Sequence, residues 1–156
     1  MSATNTFNPA GPYPNLQHAQ KVLAGWLEHW DKYGFGMLAI SELSEPQQVI
    51  GFGGISVVSF EGEAINNLGY RFATQAWGKG YATEFSISLV AVAFEKLGLS
   101  ELSARVRENH LPSQNVLIKS GLKLTGKIND VAGAPASLLF TLSQRDWSAV
   151  APDLRT

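Results

Sequence analysis

Apolar and polar positions alternate along this chain in two rhythms, and the changes of rhythm divide it into elements. From Asn15 onward, Leu16, Ala19, Leu23, Trp26 or Leu27, and Trp30 recur at helical spacing with Gln17, Gln20, Lys21, Glu28 and Asp31 between them. This predicts an amphipathic helix whose Trp26 and Trp30 pack into the core. Gly34 and Gly36 break it, and Phe35–Leu43 and Val49–Phe60 then read as an antiparallel hairpin about a Ser44-Glu45-Pro46 turn. Gly51, Gly53 and Gly54 in the second strand predict close backbone approach or a bulge; no helix follows them, so they are not a phosphate loop. After a Glu61-Gly62-Glu63 turn, Asn66–Phe72 reads as a third strand in which Leu68, Tyr70 and Phe72 alternate with Asn67, Gly69 and Arg71.

Helical spacing returns after Gln75-Ala76-Trp77-Gly78-Lys79-Gly80-Tyr81-Ala82, in an apolar helix that runs to Leu97 and stops at Gly98. Glu101–Arg107 reads as a strand, and Leu111–Ser120 as a shorter helix with Pro112 in its first turn and Gly121 past its end. Strands near Leu122–Ile128 and Ala136–Ser143 close the pattern. The order is helix, three strands, helix, strand, helix, two strands, a mixed α/β layout. Residues 1–14, with Pro9, Pro12 and Pro14, are expected to form a loose lead-in, and 148–156 a tail, leaving 15–147 as the folded domain.

Composition narrows the function more than the fold. A length of 156 residues suits one core, and 45% apolar with 16% charged residues excludes a disordered chain. The net charge of −1 excludes the basic surplus of a nucleic-acid or anionic-membrane binder, so any anion site has to be local. The absence of cysteine excludes disulfides, thiolate metal sites and a cysteine nucleophile. His18, His29 and His110 show no metal-ligand spacing, so no metal site is expected. Residues 1–14 have no Lys, Arg or apolar run from which to build a targeting signal. The longest nearly unbroken apolar stretch, Phe85–Phe94, is about half of the roughly 20 residues that span a bilayer. The expectation is a soluble, cytoplasmic protein.

The candidate chemistry lies between the third strand and the second helix. A glycine loop at a helix N-terminus offers backbone N–H groups and the positive end of the helix dipole, which together favour a phosphate or pyrophosphate. It is not a P-loop, G-x-x-x-x-G-K-S/T, because Gly80 follows Lys79 and no hydroxyl stands where Mg²⁺ would be held. A dinucleotide fingerprint G-x-G-x-x-G fits poorly, because Thr83 replaces its third glycine and the loop follows an antiparallel run.

The string Gln75-x-x-Gly78-x-Gly80-Tyr81-Ala82 resembles the pyrophosphate loop, Q/R-x-x-G-x-G/A, of the GNAT superfamily of acetyl-CoA-dependent N-acetyltransferases. Four neighbouring features are similar to its RimJ/RimL branch, the ribosomal-protein-alanine N-acetyltransferase type. They are Leu68-Gly69-Tyr70-Arg71-Phe72, then Trp77 with Thr83-Glu84, then Asn109-x-x-x-Ser113-x-x-Val116-Leu117-x-Lys119-x-Gly121-Leu122, and last Arg145-Asp146-Trp147. That resemblance implies the GNAT fold, a twisted, mostly antiparallel sheet with one splayed pair of strands flanked by helices. It implies acetyl-CoA as cofactor and a small-molecule or peptide amine as acceptor. By the same resemblance, the backbone from Gly78 through Lys79, Gly80, Tyr81 and Ala82 to Thr83 holds the pyrophosphate, with Gln75 and Trp77 framing it. The strand residues Leu68–Phe72 pair with the pantetheine arm, and an N–H near Leu68–Tyr70 faces the thioester oxygen. Asn109 and Asn115 contact the cofactor arm, and Ser113 both lines the cofactor and protonates the leaving thiolate.

Two departures from the family pattern stand out. Relatives often carry a glutamate two positions before Gly69, where this chain has Asn67, which takes no proton at neutral pH. Glu61 and Glu63 are the expected substitutes as base, acting through water, with His110 and Tyr81 poorer candidates. The family also normally opens with a further strand and helix that residues 1–14 are too short to supply, which would leave the Phe35–Leu43 strand as an exposed edge able to pair protomers into a homodimer. An acyl-CoA-binding protein of the same fold with little or no catalysis is the alternative.

Overall fold

Beta-forming runs on either side of one glycine loop are drawn into a single sheet. The structure, a computed structural model, describes residues 16–60, 62–129 and 132–149, so the expected lead-in and Glu61 lie outside it. Helix α1 spans Leu16–Tyr33, and strands β1 (Met37–Glu42), β2 (Glu45–Phe60) and β3 (Glu63–Phe72) form an antiparallel meander. Helix α2 (Tyr81–Ala91) leads to β4 (Glu101–Val106), α3 (Leu111–Lys119), β5 (Lys123–Ile128), β6 (Ser137–Ser143) and a short α4 (Gln144–Ala149). The sheet order is β1-β2-β3-β4-β6-β5, antiparallel throughout except for β3 beside β4.

The expected elements are present, with informative shifts. The hairpin turn is Leu43-Ser44 rather than Ser44-Glu45-Pro46, and β2 starts at Glu45; opposite Ile40–Glu42 of β1 the extra residues bulge out of β2, at Ile50 and at Pro46–Gln48. At Gly51, Gly53 and Gly54 the strand is close-packed and pairs regularly with β3, while toward β1 a register shift falls just before Gly51, so the glycine cluster meets both close approach and a neighbouring bulge. A Cβ on Gly53 would lie 2.5 Å from the Phe85 ring of α2. Beyond Ala91 the second helix widens into a π turn at Val92–Lys96 and ends at Gly98, where φ is +63°. Helix α4 was not expected: Ser143 caps it by accepting the Asp146 N–H at 3.0 Å, and Trp147 buries against Phe94 with ring centroids 5.4 Å apart. The presumed tail therefore starts inside a helix, at Ser148 and Ala149.

Helix α1 also turns a different face inward than its leucines suggest. Leu16, Leu23 and Leu27 are 74%, 52% and 59% exposed, and the sheet side carries Val22, Trp26, His29 and Trp30. Ring edges with polar atoms hold it there. Trp30 Nε1 donates to the Met37 carbonyl at 2.7 Å, and Trp26 packs on Phe52. His29 Nε2 accepts the Val57 N–H at 2.9 Å, so its Nδ1–H donates to the Phe35 carbonyl at 2.8 Å. The main core lies on the other face, between the sheet and α2, α3 and α4, and includes Leu68, Val90, Phe94, Leu102, Leu122 and Phe140.

Candidate active site

Strands β3 and β4 share a single registered pair, Asn67 with Ser103, and diverge beyond it. Beyond that pair, the backbone N–H and C=O groups of β3 that do not face β2 have no strand partner on the β4 side among the described residues. The gap opens into a cleft of about 750 Å³ lined by Asn67–Phe72 from β3, Ala104–Val106 from β4 with Arg107 just past it, the Gly78–Thr83 loop apart from Lys79, and the start of α3. Strand alternation sets its two walls. Leu68, Tyr70 and Phe72 point toward α2 and α3, and Asn67, Gly69 and Arg71 point to the opposite face.

At one end the cleft is made of backbone. Gly78 and Gly80 adopt φ of +76° and +79°, a region costly for residues with a Cβ, and a Cβ at either would meet nothing within 4 Å, so both lie against open space. Gly80 caps α2 with no side-chain hydrogen bond, and the first intrahelical bond runs from the Glu84 N–H to the Gly80 carbonyl at 3.1 Å. The N–H groups of Tyr81, Ala82 and Thr83 thus remain without helical acceptors at the positive end of the helix, the arrangement an anionic phosphate fits. Trp77 braces the approach by donating Nε1–H to the Phe72 carbonyl at 2.9 Å. Tyr81 donates to Glu42 at 2.6 Å, and this bond, then burial, raises its pKa above 10, so it is not a base. Lys79 sits with Nζ 6.0 Å from the Tyr81 ring centre and does not line the cleft.

At the other end the cleft is made of side chains. Tyr70 donates to Ser113 Oγ at 3.1 Å, joining β3 to the first turn of α3, and Ser113 Oγ lies 3.5 Å from His110 Nε2. Burial pushes the Tyr70 phenol up, against the smaller opposite pull of the Ser113 bond, and burial lowers the His110 imidazole below 6.5. Asn67 is buried, at 8% exposure, with Oδ1 accepting Arg105 Nε–H at 3.1 Å. Arg105 stacks on Phe60, and Arg107 donates to Ser137 Oγ at 2.9 Å and to the Pro135 carbonyl at 2.6 Å.

The expected site residues divide accordingly. Leu68, Gly69, Tyr70, Arg71, Phe72, Trp77, Gly78, Gly80, Tyr81, Ala82, Thr83 and Ser113 meet in the cleft. Gln75, Lys79, Asn109 and Asn115 are exposed and outside its lining. Glu63 is exposed at the start of β3, paired with Phe60 and four positions before Asn67, roughly 13 Å along a strand. Sequence reasoning did not bring out Arg105, Arg107 and Ser137 and ranked His110 low. The polar alternation of Ser103, Arg105 and Arg107, in β4 and just past its end, was the available signal for the arginines.

Among curated proteins, the uncharacterized N-acetyltransferase p20 of Bacillus licheniformis is 29% identical over 111 residues, covering 68% of this chain and 61% of its own length. The chain thus matches about three fifths of that relative. A crystal structure of an acetyltransferase from Agrobacterium tumefaciens superposes with a TM-score of 0.73 at 29% identity, over 90% of this chain and 78% of that one. The aminoglycoside acetyltransferase AAC(6')-Ib, solved in complex with coenzyme A, shares the fold at 13% identity and a TM-score of 0.62, over 78% of this chain and 73% of that one. With residues 2–123 matching the acetyltransferase (GNAT) domain over the splayed strands and the glycine loop, the chain belongs to that family, whose members use acetyl-CoA.

Proposed function

We propose that this chain transfers acetyl from acetyl-CoA directly to a primary amine, a protein N-terminus or a small-molecule amine, within a ternary complex. The observation that carries this reading is the β3–β4 cleft, with unpaired backbone N–H groups at one end and Tyr70 and Ser113 at the other. Bound acetyl-CoA supplies the acetyl group as a thioester. The N–H groups of Gly78–Thr83 hold its pyrophosphate, and the cleft-facing backbone of Leu68–Phe72 pairs with the amides of its arm. An N–H near Leu68–Tyr70 stabilises the developing oxyanion. Ser113 stands where a hydroxyl can serve the departing thiolate. Without a cysteine, no acetyl-cysteine intermediate forms.

The finer reading is a RimJ/RimL-like enzyme, supported by the Gly69-Tyr70 pair, the Asn109 to Leu122 string and Arg145-Asp146-Trp147. No described helix is long and apolar enough to cross a membrane, and with the absence of cysteine this supports a cytoplasmic place. The β1 edge of the sheet offers a surface for pairing two protomers, which a strictly monomeric sedimentation profile would remove. One observation favours a second reading, an acyl-CoA-binding protein without catalysis: the position of the family glutamate is Asn67, and its oxygen is occupied by Arg105. Release of free thiol from acetyl-CoA, followed with peptide N-termini, polyamines and aminoglycosides, separates the two. Turnover on at least one amine is expected; tight acetyl-CoA binding without turnover on every amine would favour the second reading.

A further inference from the structure

The reaction moves one proton from the acceptor nitrogen to the thiolate sulfur, and the wall of the cleft facing α3 carries a chain of groups suited to relay it. Tyr70 O–H points at Ser113 Oγ, 3.1 Å away. Because that oxygen accepts from Tyr70, its own hydrogen is left to point at His110 Nε2, 3.5 Å away. All three residues line the cleft, so the chain starts at the reaction space and ends on an imidazole in the first turn before α3.

We propose that His110 is the terminal proton acceptor of the acetyl transfer, reached through Ser113 and Tyr70, in place of the carboxylate that Asn67 cannot supply. This rests on the acetyltransferase reading above. As the acceptor nitrogen bonds to the acetyl carbon, its proton passes to Tyr70 Oη, the Tyr70 proton to Ser113 Oγ, and the Ser113 proton to His110 Nε2. The C–S bond then breaks with its electron pair on sulfur. His110 then returns its proton to Ser113 as the Ser113 hydroxyl gives its own to the thiolate, so the protein is unchanged after each turnover. Burial lowers the imidazole pKa below its ordinary 6.5 and so favours the neutral ring, with a proton on one nitrogen and the other open as an acceptor. The charged or titratable side chains that line the same cleft are Tyr70 and Arg71 on β3, Tyr81 at the start of α2, Arg105 on β4 and Arg107 just past its end; Glu108, two positions before His110, lies 2.6 Å from Lys127 of β5.

His110 acts through other groups, so its test needs a readout beyond lost activity. His110→Gln keeps an acceptor for the Ser113 hydroxyl but cannot store a proton. It is expected to lower kcat between about 10- and 100-fold, to leave the acetyl-CoA Kd within about twofold, and to abolish the acid limb of the kcat pH profile. A variant with wild-type kcat and an unchanged acid limb would overturn the proposal. If wild-type protein releases no thiol with any amine, the acetyltransferase reading has failed by itself, and an acceptor-free measurement still decides the relay. In ¹⁵N NMR of the wild-type imidazole at neutral pH, the proton is expected on Nδ1, with the Nε2 shift moving on Ser113→Ala. A proton found on Nε2, or an imidazole indifferent to Ser113→Ala, overturns the chain. His110→Asn provides the same kinetic test should the glutamine variant fold poorly.

Discussion

The two ends of the β3–β4 cleft are built from different materials. At the α2 end the groups that face the cleft are main-chain N–H, and the side chains matter mostly by being absent, as at Gly78 and Gly80. At the α3 end the groups are side chains, Tyr70, Ser113 and His110, whose bonds cross from one element to another. A backbone site is insensitive to most substitutions and fails where a Cβ is added. A side-chain site fails with one lost atom while the fold around it stands. The sharpest test of this contrast is Gly80→Val. A β-branched residue at φ +79° is strained by about 1–2 kcal/mol or more, and its Cβ enters the space where an anion would sit. Acetyl-CoA affinity is expected to fall about 100-fold, equivalent to about 2.7 kcal/mol, in titration calorimetry. An affinity within threefold of wild type would mean that the loop is not the grip.

The opposite end is expected to respond in the opposite parameter. Ser113→Ala removes one hydroxyl from the first turn of α3 and leaves the glycine loop untouched. Its kcat is expected to drop about 30-fold, roughly 2 kcal/mol of barrier, with the acetyl-CoA Kd within about twofold. Equal losses in both parameters would erase the distinction between a binding end and a chemical end.

That distinction also explains what could be read in the residues beforehand. The loop was legible because its chemistry depends on where glycines fall before a helix, a local pattern. The splayed sheet and its core were legible from period-two runs such as Leu68, Tyr70, Phe72 and from the glycine and proline stops around α2 and α3. Contacts between distant residues were not legible. Tyr70 and Ser113 lie 43 positions apart, and Asn67 and Arg105 lie 38 apart, so neither pair leaves a mark on either segment alone. The inward face of α1 was misread for a related reason: Leu23 and Leu27 have the right spacing, but the hydrogen bonds of His29 and Trp30 set the rotation. Helix α4 had a local signal, Ser143 followed three positions later by Asp146, in a stretch that otherwise looks like the end of a strand.

Between the two ends lies a position that separates stability from both functions. Ser86 is fully buried on the inner face of α2, and its hydroxyl has no hydrogen-bond partner among the described residues. A buried hydroxyl without a partner carries a desolvation penalty of roughly 1–3 kcal/mol, and a methyl group of nearly the same size does not. Ser86→Ala is expected to raise unfolding stability by about 1 kcal/mol in urea melts while leaving affinity and kcat alone. A loss of stability would show that the hydroxyl is satisfied in solution, and a change in affinity would show that α2 transmits core packing to its N-terminus.

The smallest expected effect is a difference of slope rather than of level, and it belongs to the side-chain end alone. Burial lowers the folded His110 pKa below its ordinary 6.5, so as pH falls through that value the unfolded chain takes up a proton that the folded chain resists. Stability is therefore lost as pH falls from about 6.5 through the folded pKa, and the loss levels off below it. Tyr70 has the reverse sign. Its folded pKa is raised above 10, so the unfolded chain ionises first and stability falls as pH rises past 10 and through the folded value. The measurement is a difference between proteins, so that only the substituted group contributes. Urea melts of wild type and His110→Gln from about pH 7.5 to about pH 5 should show a shallower acid decline in the variant, and Tyr70→Phe should flatten the alkaline decline in the same way. Gly80→Val should shift the whole curve down without changing either slope. Parallel acid slopes for wild type and His110→Gln would mean that the imidazole is as well hydrated in the folded chain as in the unfolded one. The α3 end would then lack the desolvation that favours a neutral His110 as acceptor.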